Sequence, residues 1–225
     1  MEGPNITTTA ALIADHARAQ VLMTLMAGKA LTATELADAA GVTRQTISAH
    51  LARLVDAGML SVVSQGRHRY FRIADERVAS MLETLMGLDA RASVPGVATG
   101  PRQRALRKAR VCYDHLAGET GVLVYERLAG QGAFAWDAQG MSLTPQGAQL
   151  VARLGVATDA PRGRRPFCRT CVDWSERRDH LAGTLGAALF DRFQELGWAR
   201  RAPDSRVVEF SASGEAALLA WLVPL

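Results

Sequence analysis

Residues 31–75 read LTATELADAAGVTRQTISAHLARLVDAGMLSVVSQGRHRYFRIAD, and this run decides the fold of the amino-terminal part of the chain. Thr32 with Glu35 three residues later forms a capping box ahead of Leu36 and Ala37, so a short helix starts there. Gly41 ends that helix at a tight turn. Thr43 caps a second helix that runs to Gly58. Two short helices joined across Ala40-Gly41-Val42 have the length and glycine placement of a helix-turn-helix. Met59-Leu60-Ser61-Val62-Val63 and Arg69-Tyr70-Phe71-Arg72-Ile73 follow as two β-rich runs around Ser64-Gln65-Gly66-Arg67-His68, which predicts a hairpin with a basic tip.

A helix-turn-helix followed directly by a basic-tipped hairpin is a winged helix. Within it, TISAHLARLVDAGML and GRHRYFRI stand in the order and spacing of the ArsR/SmtB family of bacterial repressors, and the resemblance extends over about residues 8–90. In the second helix Ile47, Leu51, Leu54 and Val55 share one face, which turns Gln45, Ser48, Ala49 and Ala52 outward and leaves Arg44 and Thr46 near the exposed amino end. Arg and Gln have side-chain edges that match guanine and adenine in the major groove, and the start of the second helix is what a helix-turn-helix presents there. Thr43, Arg44, Gln45, Thr46 and Ser48 are therefore the expected base-reading residues, and Arg67 and Arg69 on the wing are placed for phosphates or the minor groove. His50 falls at the edge of the buried face, a structural position.

Outward from this run, Asp15 can cap a helix in which Val21, Leu22 and Leu25 share a face. A last helix, Arg77 to Leu88, presents Val78, Met81, Leu82, Leu85 and Met86 as a stripe. Such a stripe is ordinarily core, but the family resemblance implies that the first and last helices of this domain form a two-fold dimer on a paired operator. Residues 1–90 form the expected DNA-binding and dimerisation domain. Residues 91–103, rich in small residues, Gly and Pro, form a linker, and residues 104–225 a second domain.

That second domain contains an internal duplication, 104–157 against 168–225. Cys112-Tyr-Asp-His-Leu-Ala-Gly118 and Arg177-Arg-Asp-His-Leu-Ala-Gly183 share DHLAG, and Gly121 matches Gly186. Tyr125-Glu126-Arg127 matches Phe190-Asp191-Arg192, and Leu143-Thr-Pro-Gln-Gly147 matches Phe210-Ser-Ala-Ser-Gly214. Each copy reads helix, Gly, hairpin, helix, so the expected fold class is mainly α with short β-hairpins: a winged helix-turn-helix plus two duplicated, degenerate winged-helix-like units. Apolar residues such as Val122, Leu123 and Leu189 replace a reading helix in these units, which suits packing or ligand holding.

Metal sensors of the resembling family typically carry thiolates in the helix before the reading helix, or His and acidic ligands in the last helix. Glu35 to Ala40 contains no Cys and the last helix no His. A sensor is therefore expected in the second domain, which contains all three cysteines. Cys112 and His115, three apart, are expected on one helix face, with His180 in the equivalent place of the second copy. If the copies pack about a two-fold axis, Cys112, His115, Cys171 and His180 make a thiolate and imidazole set suited to zinc or a softer ion, with Cys168 beside it.

Three readings stay open at this point. These residues can be structural, can bind a metal or small-molecule effector, or can be redox-active thiols, Cys168-Arg-Thr-Cys171 lying among arginines that favour thiolate. A small organic effector would sit near Trp136, Trp174 and Trp198.

The 225 residues, 48% of them hydrophobic, suffice for two domains with cores, and three cysteines argue against a disulfide framework. No apolar run approaches the ~18 residues of a membrane span, and Met-Glu-Gly-Pro-Asn-Ile-Thr lacks the regions of a secretory signal, so no membrane contact and a cytoplasmic location are expected. The net charge is +4, and the basic excess lies outside the first domain: residues 91–225 hold 18 Lys/Arg against 13 Asp/Glu. With no Gly-rich phosphate loop, nucleophile elbow or HExxH, the chain reads as a dimeric transcriptional regulator, a repressor, and not an enzyme. The alternatives make the second domain an interaction module or a Cys/His enzyme.

Overall fold

A computed structural model describes residues 6–66, 68–92, 101–138, 140–158, 165–203 and 205–224. The chain divides into two compact units, residues 1–81 and 82–225. Of the expected linker, residues 93–100 lie outside the described residues.

The first unit opens with α1 (Ile6–Ile13) and α2 (His16–Leu25), the latter capped by the Asp15 side chain accepting from the Arg18 amide. Next come β1 (Leu31–Thr32), α3 (Ala33–Ala40) and α4 (Arg44–Asp56). The capping box at α3 is complete, with Thr32 and Glu35 each satisfying the other's backbone amide, and Gly41 ends the helix in the left-handed region at φ 66°. The wing is β2 (Leu60–Gln65) paired antiparallel with β3 (His68–Ile73). Leu31 and Thr32 add a third strand opposite Phe71 and Tyr70, a pairing too short to show in the sequence pattern. Val21, Leu22, Leu25, Leu36, Ile47, Leu51, Leu54 and Ile73 are fully buried as the core of this unit.

Helix α5 (Glu76–Ala92) is continuous, its residues through Met81 belonging to the first unit and those from Leu82 to the second. The second unit continues with α6 (Pro101–Lys108), β4 (Arg110–Cys112), β5 (His115–Ala117), α7 (Glu119–Gly130), β6 (Phe134–Asp137), β7 (Gly140–Leu143) and α8 (Pro145–Ala152). It ends with β8 (Arg169–Val172), β9 (Asp179–Ala182), α9 (Gly183–Glu195), β10 (Ala199–Arg201), β11 (Val208–Phe210) and α10 (Ala212–Trp221).

Helix and strand are thus mixed more evenly than the mainly helical expectation. Each half of this unit runs hairpin, helix, hairpin, helix, and the expected helix carrying Cys112 and His115 is instead the hairpin β4–β5. The reason is geometric. Residues three apart meet on one helix face, but they also face each other across a two-residue hairpin turn, so the spacing fits both. Here Tyr113, at φ 60°, and Asp114 form the turn.

The halves pack crosswise, α7 against β9 and α9 against β5. Two glycines let each helix lie close on the hairpin of its own half, with the other half's histidine next to it. A Cβ on Gly121 would lie 2.5 Å from the Leu116 carbonyl oxygen and 3.7 Å from His180 Cβ, and one on Gly186 would lie 2.5 Å from the Leu181 oxygen and 3.4 Å from His115 Cβ. The aromatic core of the unit includes Phe190, Phe193 and Trp221, with the Trp221 indole nitrogen donating to the Leu150 carbonyl at 3.0 Å.

Candidate DNA-reading helix and a buried cysteine–histidine cluster

Helix α4 is sorted into two faces by its own sequence. Ile47, Leu51 and Leu54 are buried in the first unit, whereas Arg44, Gln45, Thr46, Ser48, Ala49 and Ala52 are exposed. The Thr43 hydroxyl accepts from the Thr46 amide at 3.2 Å and lies 2.9 Å from the Thr46 hydroxyl, so this pair caps the helix. Ser48 donates to the Arg44 carbonyl at 2.8 Å. Arg44 and Gln45 therefore remain as the long polar side chains at the exposed amino end, where the helix dipole also favours phosphate. On the wing Arg69 is exposed, its guanidinium carbon 5.6 Å above the Phe71 ring. Arg67 lies outside the described residues. His50 lies 3.3 Å from Arg18 through Nδ1, at the root of α2.

In the second unit, Cys112 faces His115 across β4–β5 and Cys171 faces His180 across β8–β9. The two hairpins bring all four side chains together: their donor atoms lie within 4.8 Å of one another, and all four residues are buried. The Sγ atoms of Cys112 and Cys171 are 3.9 Å apart and the Nε2 atoms of His115 and His180 are 3.2 Å apart. Cys168, the remaining cysteine, is placed elsewhere, among the apolar residues of the main core, and burial pushes its thiol up to about 12. All three cysteines are free thiols.

Carboxylates lie behind the two imidazoles. Asp114 Oδ1 is 3.1 Å from His115 Nδ1, and both Asp114 oxygens accept from Arg165, at 2.5 and 2.9 Å. His180 Nδ1 is 3.9 Å from Asp173, while Asp179 pairs with Val172 one register position away. Asp173 is wholly buried and accepts from Arg110 Nη2 at 2.8 Å, from the Gly118 amide at 2.6 Å, and from the amides of Ser175 and Glu176. Arg110, also wholly buried, lies 3.9 Å from Glu83 on α5 and stacks 4.5 Å from the centre of the Trp174 ring. Glu83 pairs in turn with Arg206.

Burial opposes charge on Asp173, but Arg110 and the amide donors hold its carboxyl far below the usual range. Cys171 is drawn well down as a thiol by its bond from Cys112 and, against burial, by both imidazoles, while that bond and burial push Cys112 well up. Burial disfavours charge on His115, yet Asp114 and Cys171 raise its pKa.

The three tryptophans do not converge: Trp136 is exposed beside Phe134, Trp174 covers Arg110, and Trp198 stacks on Phe193. A cavity of about 10 Å³ lies between the halves, lined by Leu116, Leu181, Val124 and Leu189 among others, space for about one water. Among the described residues no helix is long and apolar enough to cross a membrane.

A helix-turn-helix whose second helix exposes Arg and Gln at its amino end, followed by a β-wing, defines a winged-helix DNA-binding protein. Residues 15–69 match the model of the MarR family. Over 215 residues, 95% of both chains, this chain is 39% identical to an uncharacterized HTH-type transcriptional regulator, YdfF, of Bacillus subtilis (strain 168). The chain belongs to the HTH-type transcriptional regulators. Among solved structures, it is similar to the homodimeric winged helix-turn-helix DNA-binding domain of Mb0332 from Mycobacterium bovis, described as a possible ArsR-family regulator. That likeness is 25% in identity, over 44% of this chain and 99% of that one, with a TM-score of 0.36. A second is the antimony-specific transcriptional repressor AntR, 28% identical over 41% of this chain and 91% of that one, at a TM-score of 0.34.

Proposed function

We propose that this regulator is a homodimeric repressor of the ArsR/SmtB type that reads its operator with Arg44 and Gln45, and that the second unit, an internally duplicated pair of degenerate winged-helix-like halves, receives the signal that sets operator affinity. Residues 104–225 are its sensor region, joined to the winged helix of residues 1–90 by the stretch 91–103. The observation that carries the DNA reading is the sorting of α4, with Ile47, Leu51 and Leu54 buried and Arg44, Gln45 and Ser48 outward. The duplication is supported by the repeated element order, by the crosswise packing and by Gly121 and Gly186 meeting equivalent surroundings. The dimer is supported by Leu85 and Leu88, 38% and 54% exposed on α5 beside Met81.

Of the candidate signals, a metal ion or a thiol oxidant fits the buried cysteine–histidine cluster, whereas the small cavity between the halves offers an organic effector little room. The burial of all four donors leaves no position open to a substrate, so the cluster lends no support to a Cys/His enzyme.

The test is equilibrium binding to DNA selected by the wild-type chain from a random pool. Arg44→Ala and Gln45→Ala each lower specific affinity by about 1–3 kcal/mol relative to random DNA, with an unchanged circular dichroism spectrum. Unchanged discrimination in both variants rejects this placement of the reading helix.

A further inference from the structure

We propose that Cys112, His115, Cys171 and His180 form a closed, four-coordinate site for one divalent ion of the zinc class, each hairpin supplying one thiolate and one imidazole, so that the ion joins the two halves of the second unit. The inference deepens the reading of that unit as the signal-receiving part and rests on it only for its regulatory meaning.

The spacing comes first. Tetrahedral bonds of about 2.3 Å to sulfur and about 2.0–2.1 Å to nitrogen give S···S edges of about 3.8 Å and N···N edges of about 3.3 Å. The structure has 3.9 Å between the sulfurs and 3.2 Å between the imidazole nitrogens. Two thiols in van der Waals contact could reproduce the first distance alone. The second is harder to obtain without a cation, for the following reason.

Asp114 faces His115 Nδ1, which therefore carries the proton and turns the Nε2 lone pair toward His180. As a neutral imidazole His180 has two tautomers, and neither satisfies its surroundings; an imidazolium would satisfy both sides, but only by adding a charge to the buried cluster. With the proton on Nε2 it donates to His115, but its Nδ1 lone pair is then buried without a hydrogen-bond partner, facing the Asp173 carboxylate at 3.9 Å. With the proton on Nδ1 the carboxylate is served, but two Nε2 lone pairs confront each other at 3.2 Å. A cation bound to both Nε2 atoms resolves the conflict, since each Nδ1–H then faces its own carboxylate, the arrangement found behind metal-bound histidines.

The ion class follows from the donors and their burial. Two sulfurs and two imidazoles select a tetrahedral, borderline-soft ion over magnesium or calcium, which take oxygen. Two thiolates balance a divalent charge, so the assembled core is neutral, as a site this buried requires. Four protein donors fill the coordination shell, which marks a site that holds structure together and not one that activates water. Neither place used by metal sensors of the resembling family is involved: α3 offers no Cys, and the described part of α5 no His.

The test uses the full chain, purified reduced and without chelator. Elemental analysis is expected to find one zinc per chain, and Co(II) exchanged for it should give the intense visible bands of tetrahedral coordination with a thiolate charge-transfer band in the near ultraviolet. Cys112→Ser and Cys171→Ser lose both signals, while Cys168→Ser keeps them. Because a serine variant could simply fail to fold, His180→Cys supplies an independent arm: it retains Co(II) and strengthens the thiolate band as a third sulfur joins. Absence of stoichiometric zinc together with no tetrahedral Co(II) spectrum overturns the proposal, as does a His180→Cys spectrum identical to that of the wild type. So does a Cys112–Cys171 disulfide, found by mass spectrometry in protein kept under argon. None of these readouts involves DNA, so their failure would leave the operator-reading assignment standing.

Discussion

Gly121 and Gly186 decide how closely α7 and α9 lie on the hairpins of their own halves. Each sits where an added methyl would press on a backbone carbonyl at 2.5 Å, and neither a helix nor a hairpin can yield there without shifting. Gly186→Ala should therefore lower the stability of this unit by about 1–3 kcal/mol, the cost of forcing extra volume into a packed interior, as read by chemical denaturation. Because His115 Cβ lies next to that position, the same variant should also loosen metal binding. Asp173 shows the other use of a single residue. It ties a buried guanidinium, the amino end of α7 and the back of His180 to one carboxylate. Replacing it strands Arg110, a far costlier change than loss of a surface pair.

Helix α5 belongs to both units along its length, and its exposed residues suit a partner of the same kind. If Leu85 and Leu88 meet a second copy, Leu85→Glu should convert the dimer to a monomer in sedimentation, with operator affinity falling because each half-site is then held singly. A dimer that survives returns the stripe to the core of its own chain. At this scale the sequence was informative where local chemistry is strong. The capping box at Thr32 and Glu35, the Gly41 stop, the Thr43 cap and the wing are all legible because each depends on neighbours in the chain. A spacing of three serves a helix and a two-residue hairpin alike, so the sequence alone does not tell β4–β5 from a helix. The short strand Leu31–Thr32 carries no periodicity at all and is defined only by its partner Phe71 and Tyr70.

Across the whole molecule, what the sequence hid is mostly a matter of loop length. The repeat aligns DHLAG with DHLAG at a constant offset, and that offset sets Cys112 against Arg177. In the structure Cys112 and Cys171 take like places, each paired with a histidine across its own hairpin, although β8–β9 has a longer connection than β4–β5. The gathering of the four residues was legible from their chemistry; the equivalence of the two cysteines, and the carboxylates behind the imidazoles, required the fold. Between that cluster and α5 runs the buried chain Asp173, Arg110, Glu83, and α5 continues toward the residues of the first unit.

In the proposed function the state of the second unit sets the operator affinity. The most direct measurement is fluorescence anisotropy of selected operator DNA with the full chain, zinc-loaded and then stripped with chelator, beside Cys171→Ser. A change of at least about fivefold is expected on stripping the wild type, within the usual range of coupling between sites, and none in Cys171→Ser. Equal affinities for the loaded and stripped wild-type protein would contradict it.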